Sequence, residues 1–554
     1  MSKPVTHRRL WPLKAVDRRC RAAANSFNCR TRQSHLGHLA GWPWPRLGNA
    51  SLRIVGGSEL ISCSSRLRRR SADRKFSARR GYWLREVASM PSVGTFRVCE
   101  PDRLPLQEAL AEAVALPSVL ATMLRSLIEA WPEHVYRQPL VTTRFLGRRT
   151  TYVCDPRLIH SLLVDQAGAL MREPFMIRAL GPALGTGILT ADDSHWRKQR
   201  RTSAPMFRPD RVRSFVPAMA QAAQATRERW LDAAPSDAVR DILPEMMRTT
   251  FDVIVATMVS GDSQLKVGPF GRAIDAYLGQ TTWKVALEML NAPAWTPHPG
   301  ARTGAEAARY LRSEVAQTVE RRRTRGELGS DLLGLLLQAR DPETGQGLPD
   351  SGLVDNLLTF VAAGHETTAL ALAWTLRVLA EHPGIERRVL EEISSLNADF
   401  AADPDATDRL VYTRQVVLEV MRLYPPAPLI VRRARVDICL GDRTVRAGDS
   451  VHVPIYAVHR HELLWDRPQV FDPDRFAPQA VASRDRYAYL PFGAGPRVCI
   501  GMGLALTECL VILTTLLPNF RFAPENAEMP AAQFRVTLRP KGGMRMKIVP
   551  RHVH

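Results

Sequence analysis

The 554-residue chain has no uninterrupted apolar run of the length, about 18 residues, that spanning a bilayer requires. A transmembrane anchor is therefore not expected. The eight cysteines, at positions 20, 29, 63, 99, 154, 439, 499 and 509, form no C-x-x-C pair and no tight cluster. That spacing argues against a zinc site or a disulfide framework and favours a reduced, cytoplasmic compartment. His365-Glu366 and His461-Glu462 both lack the second histidine of a zinc-protease helix, because Ala369 and Trp465 stand where it would fall. Nucleotide-binding glycine loops are missing as well. Gly493-x-Gly495 continues to Val498 rather than to a third glycine, and no Walker-type G-x-x-x-x-G-K occurs. No internal repeat is visible, and no Pro/Gly/Ser-rich linker divides residues 90–554.

Acidic residues are scarce at one end only. Residues 1–89 hold 20 Lys and Arg against 4 Asp and Glu, a net +16 of the chain's +21, which leaves +5 for residues 90–554. The basic excess includes Arg66-Leu67-Arg68-Arg69-Arg70 and Arg79-Arg80 and carries no sustained periodicity. It reads as a poorly ordered leader, either a tail or sequence translated upstream of an alternative start at Met90. A polyanion-binding role for residues 1–89, on nucleic acid or a membrane surface, is the rival that charge alone raises. No nucleic-acid partner is expected for the nearly balanced remainder, residues 90–554, which read as one domain.

From about residue 105 onward the pattern is helical. Apolar residues recur at three- and four-residue spacing over residues 110–130, 213–233 and 306–321. Strand-like alternation appears over residues 432–453, punctuated by Gly441-Asp442 and Gly448-Asp449. Pro293, Pro297 and Pro299 predict a surface connection over residues 291–304. The expected fold class is mainly α with small β-sheets.

Three segments carry chemistry. In residues 489–508, Gly493, Gly495 and Gly501 surround Cys499, and the apolar run after Gly501 predicts a helix with Cys499 at its amino end. Helix N–H groups and dipole there favour a thiolate, and Arg497 adds a cation suited to a cofactor carboxylate. Taken alone, Cys499 would also fit an ordinary buried cysteine in a turn.

The second segment, Ala363-Gly364-His365-Glu366-Thr367-Thr368, lies in a stretch, residues 353–379, that is apolar on nearly all sides and so is expected to cross the core. Gly364 weakens a helix and Thr367 can divert a backbone carbonyl, so an acid and an alcohol would meet in a dry place. Two readings stand for Glu366: a proton-relay acid, or a carboxylate neutralised by a nearby cation. Thr368 reads as packing. The third segment, Glu419-Val-Met-Arg422 before Leu423-Tyr424-Pro425-Pro426, puts an acid and a base three apart on one helical face.

These segments together resemble the cytochrome P450 family. Phe492, Gly495, Cys499 and Gly501 match its F-x-x-G-x-x-x-C-x-G signature, and Ala363, Gly364, Glu366 and Thr367 match A/G-G-x-D/E-T. Glu419 and Arg422 match E-x-x-R, and Phe471-Asp-Pro-Asp-Arg475-Phe476 matches the segment whose arginine joins that pair. Trp196 and Arg200 match the W-x-x-x-R helix.

The resemblance, over roughly residues 105–550, implies a P450 fold with haem b between the Gly364 helix and the Cys499 loop. It implies Cys499 as iron ligand and Glu366 with Thr367 as the oxygen-activating pair. Cofactor contacts would come from Trp196, Arg200, Arg432, Arg497, Phe492 and Gly493, and a structural ion-pair network from Glu419, Arg422 and Arg475. The implied activity is insertion of one atom of dioxygen into a small apolar organic substrate. With no nucleotide loop in the chain, electrons would come from a ferredoxin or flavodoxin with its reductase. A haem-thiolate isomerase, dehydratase or peroxygenase is the rival within the same chemistry.

Overall fold

The computed structural model describes residues 106–551 except 146, 234–237, 260–266, 291, 294, 327–328, 397–399 and 401–402. The basic leader and the alternative start at Met90 lie outside the described residues. Among those described, helices of eleven residues or more are α1 (Leu106–Arg125), α2 (Pro174–Leu184), α3 (Asp193–Ser203), α4 (Val216–Leu231), α5 (Ile242–Met258) and α6 (Val267–Gly279). Five more follow: α7 (Ala301–Arg325), α8 (Asp350–Glu381), α9 (Pro383–Leu396), α10 (Val411–Leu423) and α11 (Met502–Leu516).

Twelve described strands are short. They are β1 (Leu140–Phe145), β2 (Arg148–Val153), β3 (Leu170–Arg172), β4 (Val239–Asp241), β5 (Ile430–Ala434), β6 (Ile438–Leu440), β7 (Arg443–Val445) and β8 (Ser450–Val453), then β9 (Phe520–Pro524), β10 (Ala532–Phe534), β11 (Leu538–Pro540) and β12 (Arg545–Pro550). The largest sheet runs β1-β2-β8-β5-β3, a second runs β4-β12-β9, and β6-β7 and β10-β11 are hairpins. Strand-like alternation over 432–453 thus becomes β5 to β8, and a small sheet sits in a helical body as the composition of the segments requires.

Helix α8 runs through the core because it has no polar face long enough to lie on the surface. Leu370, Leu372, Trp374 and Leu376 are all inaccessible to solvent, which is the behaviour of a helix apolar all round. Its charged residues each find partners: Asp355 accepts from Arg312 at 2.8 Å, and Arg377 pairs with Glu381 at 2.5 Å. α5 and α11 pack against it.

Two local expectations are corrected. The connection expected over 291–304 ends earlier, since α7 starts at Ala301 behind Gly300, whose φ of 79° supplies the turn. α8 is also unbroken at Gly364. A Cβ at Gly364 would lie 3.4 Å from Ile254 Cδ1 of α5, an ordinary packing distance, and the turn is not loosened. No described helix is long and apolar enough to cross a membrane.

Candidate active site

The cysteine loop is shaped by its glycines. Gly493 and Gly495 have φ of 72° and 71°, a region that residues with a Cβ rarely adopt. A Cβ on Gly495 would come within 2.1 Å of the Leu163 carbonyl oxygen. The Cys499 amide donates to the Phe492 carbonyl at 2.9 Å, closing the loop, and α11 begins at Met502 with Gly501 as its N-cap. Cys499 therefore stands at a helix amino end, as the apolar run predicts.

Cys499 is exposed by surface area, yet burial pushes its thiol pKa up. Both hold for a side chain facing a deep cleft. The Gly501 amide and then Arg200 pull the other way, favouring the thiolate. Arg200 also donates to the Val498 carbonyl at 2.9 Å, so it braces the loop directly ahead of the cysteine.

Beside the loop is a cavity of about 240 Å³ lined in part by Met171, Trp196, Arg432, Pro496 and Arg497. Arg497 lies over the Trp196 ring, 4.5 Å from its centroid, and donates to Asp192 at 2.5 Å. Arg432 is held in place by the Val431 carbonyl at 2.7 Å. A third guanidinium, Arg172, is buried there. Burial and then the neighbouring charges of Arg432 and Arg497 lower its pKa to about 9. Burial and then Arg497 lower that of Arg432 to about 10. Arg172 Nε is buried without a hydrogen-bond partner.

Three packed guanidiniums with Asp192 as the acid that counters them form a site asking for further negative charge. The two carboxylates of a haem meet that demand, and the thiol and its bracing cation suit iron, so the residues present fit the cofactor. Arg172 and Asp192 were not legible as site residues. Neither belongs to a motif, and only the pairing of β3 with β5 sets Arg172 opposite Arg432.

On α8, Thr367 Oγ1 donates to the Ala363 carbonyl at 2.7 Å, and Thr367 is half-buried. Glu366 is buried. Its Oε1 accepts from Arg539 Nε at 2.6 Å and from the Thr537 hydroxyl. Of the two readings offered by the sequence, the cation pair is therefore what the geometry displays. Thr368 is buried in packing, and its hydroxyl faces Glu508 of α11, whose pKa burial raises well above the usual carboxylate range.

The third group assembles away from the cavity. Arg422 pairs with Glu419 at 2.7 and 2.8 Å, and both side chains are inaccessible to solvent. Arg422 also reaches the carbonyls of His459, Pro468 and Val470 at 2.9, 2.6 and 3.0 Å. Glu419 accepts from the Asp472 amide at 2.9 Å and has Arg475 Nε at 3.6 Å. The acid and both bases expected to form a network are thus brought together.

A family model described as cytochrome P450 matches residues 130–547. The chain belongs to the cytochrome P450 family. Human cytochrome P450 4F12 is 30% identical over 427 residues, 72% of this chain and 80% of that protein. Cyclooctat-9-en-7-ol 5-monooxygenase of Streptomyces melanosporofaciens is 31% identical over 390 residues, 70% of this chain and 83% of that one. A crystal structure of the cytochrome P450DA heme domain is 26% identical with a TM-score of 0.67, covering 82% of this chain and 97% of that one. This P450 is a haem-dependent monooxygenase that uses dioxygen, an organic substrate and a redox partner.

Proposed function

We propose that this P450 binds haem b through Cys499 and inserts one oxygen atom into an apolar organic substrate. Electrons would come from a ferredoxin or flavodoxin with its reductase. When bound, haem supplies a redox-active iron whose thiolate ligand favours O–O cleavage, an effect for which cytochromes P450 are themselves the type example. The observation that carries the residue assignments is the cluster of three guanidiniums beside the Cys499 loop, Arg172 buried and Arg432 and Arg497 half-buried.

Cys499 holds the metal, with the Gly501 amide and Arg200 stabilising its negative charge. Arg172, Arg432 and Arg497 neutralise the cofactor's carboxylates, and Trp196 fixes the Arg497 plane from one side. Phe492 and Gly493 shape the loop that covers the cofactor. Thr367 Oγ1 orders water at the cleft, and Glu366 would relay protons through that water once freed from its pairing with Arg539. The solvent-exposed Arg208 and Arg211 follow Phe207, which packs near Gly501. That basic face favours an acidic electron carrier.

The substrate class is supported by the likeness to the Streptomyces enzyme, whose name specifies an alkenol. The decisive experiment is the reduced carbon-monoxide difference spectrum of the haem-loaded protein and of Cys499→Ser. A red-shifted thiolate-type band in the former alone is the expected result. An unchanged band in Cys499→Ser, or none in the parent, overturns the assignment. Product formed in step with reductant and dioxygen consumption separates monooxygenation from isomerase chemistry.

A further inference from the structure

Residues 185–192 connect α2 to α3, and charged side chains hold both ends of the connection. At its start, the buried Asp355 of α8 accepts at Oδ2 from the Thr186 amide at 2.8 Å and the Thr186 hydroxyl at 3.2 Å. Its neighbour Asn356 accepts from the Ile188 amide at 3.0 Å. A Cβ on Gly187 would fall 2.6 Å from the Asp355 carbonyl oxygen, so the connection lies directly on α8. Asp355 Oδ1 takes Arg312 Nη1 of α7 at 2.8 Å, and that nitrogen also donates to the Ala183 carbonyl of α2 at 3.1 Å. One ion pair thus ties α7 and α8 to the point where the connection leaves α2.

The far end serves the cofactor site. Arg497 donates to the Ala191 carbonyl at 2.9 Å and to Asp192 Oδ1 at 2.5 Å, while Asp192 Oδ2 accepts the Arg172 amide at 3.0 Å. Between the ends there is little slack. The Thr190 hydroxyl donates to the Gly185 carbonyl at 2.7 Å, and the Ala191 amide donates to the Gly187 carbonyl at 2.8 Å. A displacement at Thr186 is therefore carried to Ala191 and Asp192.

We infer that Asp355 and Arg312 are positioning residues for the cofactor. They latch the 185–192 connection onto α8 and α7, and the connection presents Ala191 and Asp192 to Arg497, setting where that guanidinium meets a haem carboxylate. This rests on the reading of Arg497 as a partner of the cofactor's carboxylates. Without Asp355, Arg312 and the Thr186 amide lose their shared acceptor, and unpaired donors favour lifting the connection toward water over staying packed. Arg312, with 34% of its side chain exposed against 5% for Asp355, is the milder point of release.

Two measurements on the full chain test the latch: hydrogen exchange of the 186–192 amides in the apoprotein, and haem transfer from the holoprotein to a scavenging globin. Asp355→Ala is expected to raise the exchange and to speed transfer about tenfold, as the loss of one charge-assisted hydrogen bond to the cofactor would. Arg312→Met is expected to move both in the same direction, and Arg312→Lys to restore them; this pair keeps the inference testable if Asp355→Ala fails to fold. In a chain already carrying Arg497→Ala, Asp355→Ala is expected to add nothing to the transfer rate, because it acts through that residue, whereas a merely structural loss would add in full. Parental exchange or parental transfer in Arg312→Met, or full additivity with Arg497→Ala, overturns the inference. Parental transfer in Arg497→Ala alone, with exchange still raised in Arg312→Met, removes the carboxylate reading and takes the inference with it, so the two failures are told apart.

Discussion

His459 Nε2 accepts the backbone amide of Leu490 at 2.8 Å, while its Nδ1 lies 3.2 Å from the Arg422 carbonyl. One neutral imidazole thus ties the end of α10 to the strand of chain entering the cysteine loop. Neutrality is required, because a protonated ring could not accept from Leu490.

The fold is expected to lose stability in mild acid. Burial lowers the pKa of His459 well below its ordinary value, and those of His365 and His452 to about 4. Below about pH 6.5 the unfolded chain takes up protons that the folded chain refuses, so unfolding free energy falls with pH from there toward 4. The slope is about 1.4 kcal/mol per pH unit for each such histidine. Urea midpoints at pH 7.5 and 5.5 check this; a midpoint that is unchanged or higher at pH 5.5 contradicts it.

Glu419 and Arg422 are expected to be mutually indispensable. Removing one partner of a buried pair leaves the other uncompensated, at a cost of about 3–5 kcal/mol, and Arg422 would in addition strand three backbone carbonyls. Glu419→Gln and Arg422→Met should each lower the denaturation midpoint steeply. The double variant should cost less than the two losses added together, and strict additivity would deny the coupling.

Gly495 should tolerate no side chain. Its φ of 71° and the 2.1 Å approach to the Leu163 carbonyl oxygen act together, and the strain alone is worth about 1–3 kcal/mol. Gly495→Ala should retain less haem and melt earlier, whereas Gly503→Ala, with open space around it, should behave like the parent. Equal melting of all three proteins would refute the steric account.

The arginine trio makes cofactor retention a sensitive readout. Arg172→Ala removes a buried charge-assisted donor, so haem transfer to a scavenging globin should speed up about tenfold. Asp192→Asn frees Arg497 and should slow it. A transfer rate unmoved by Arg172→Ala would show that this guanidinium faces something other than the cofactor.

What could be read from the sequence was what lies close together in it. Cys499 and its glycines fall within ten residues, and Glu419 and Arg422 within four, so local spacing carries the geometry. Arg475 was legible because the Phe471–Phe476 segment has its own pattern. By contrast, Arg539 is 173 residues from Glu366, and Asp275 is 264 residues from Arg539. Nothing in their neighbourhoods marks them, and only the placement of the β10-β11 hairpin and α6 against α8 brings them together. The continuity of α8 at Gly364 was hidden for a related reason, since what packs beside it, Ile254, lies on another helix.

The hairpin that neutralises Glu366 is synthesised well after α8, with Arg539 following 173 residues behind the acid. Until Thr537 and Arg539 emerge, the nascent protein holds a carboxylate that is costly to enclose, so closure around this part of α8 depends on them. A chain lacking only residues 532–540 would keep every family motif and still leave its centre open to water.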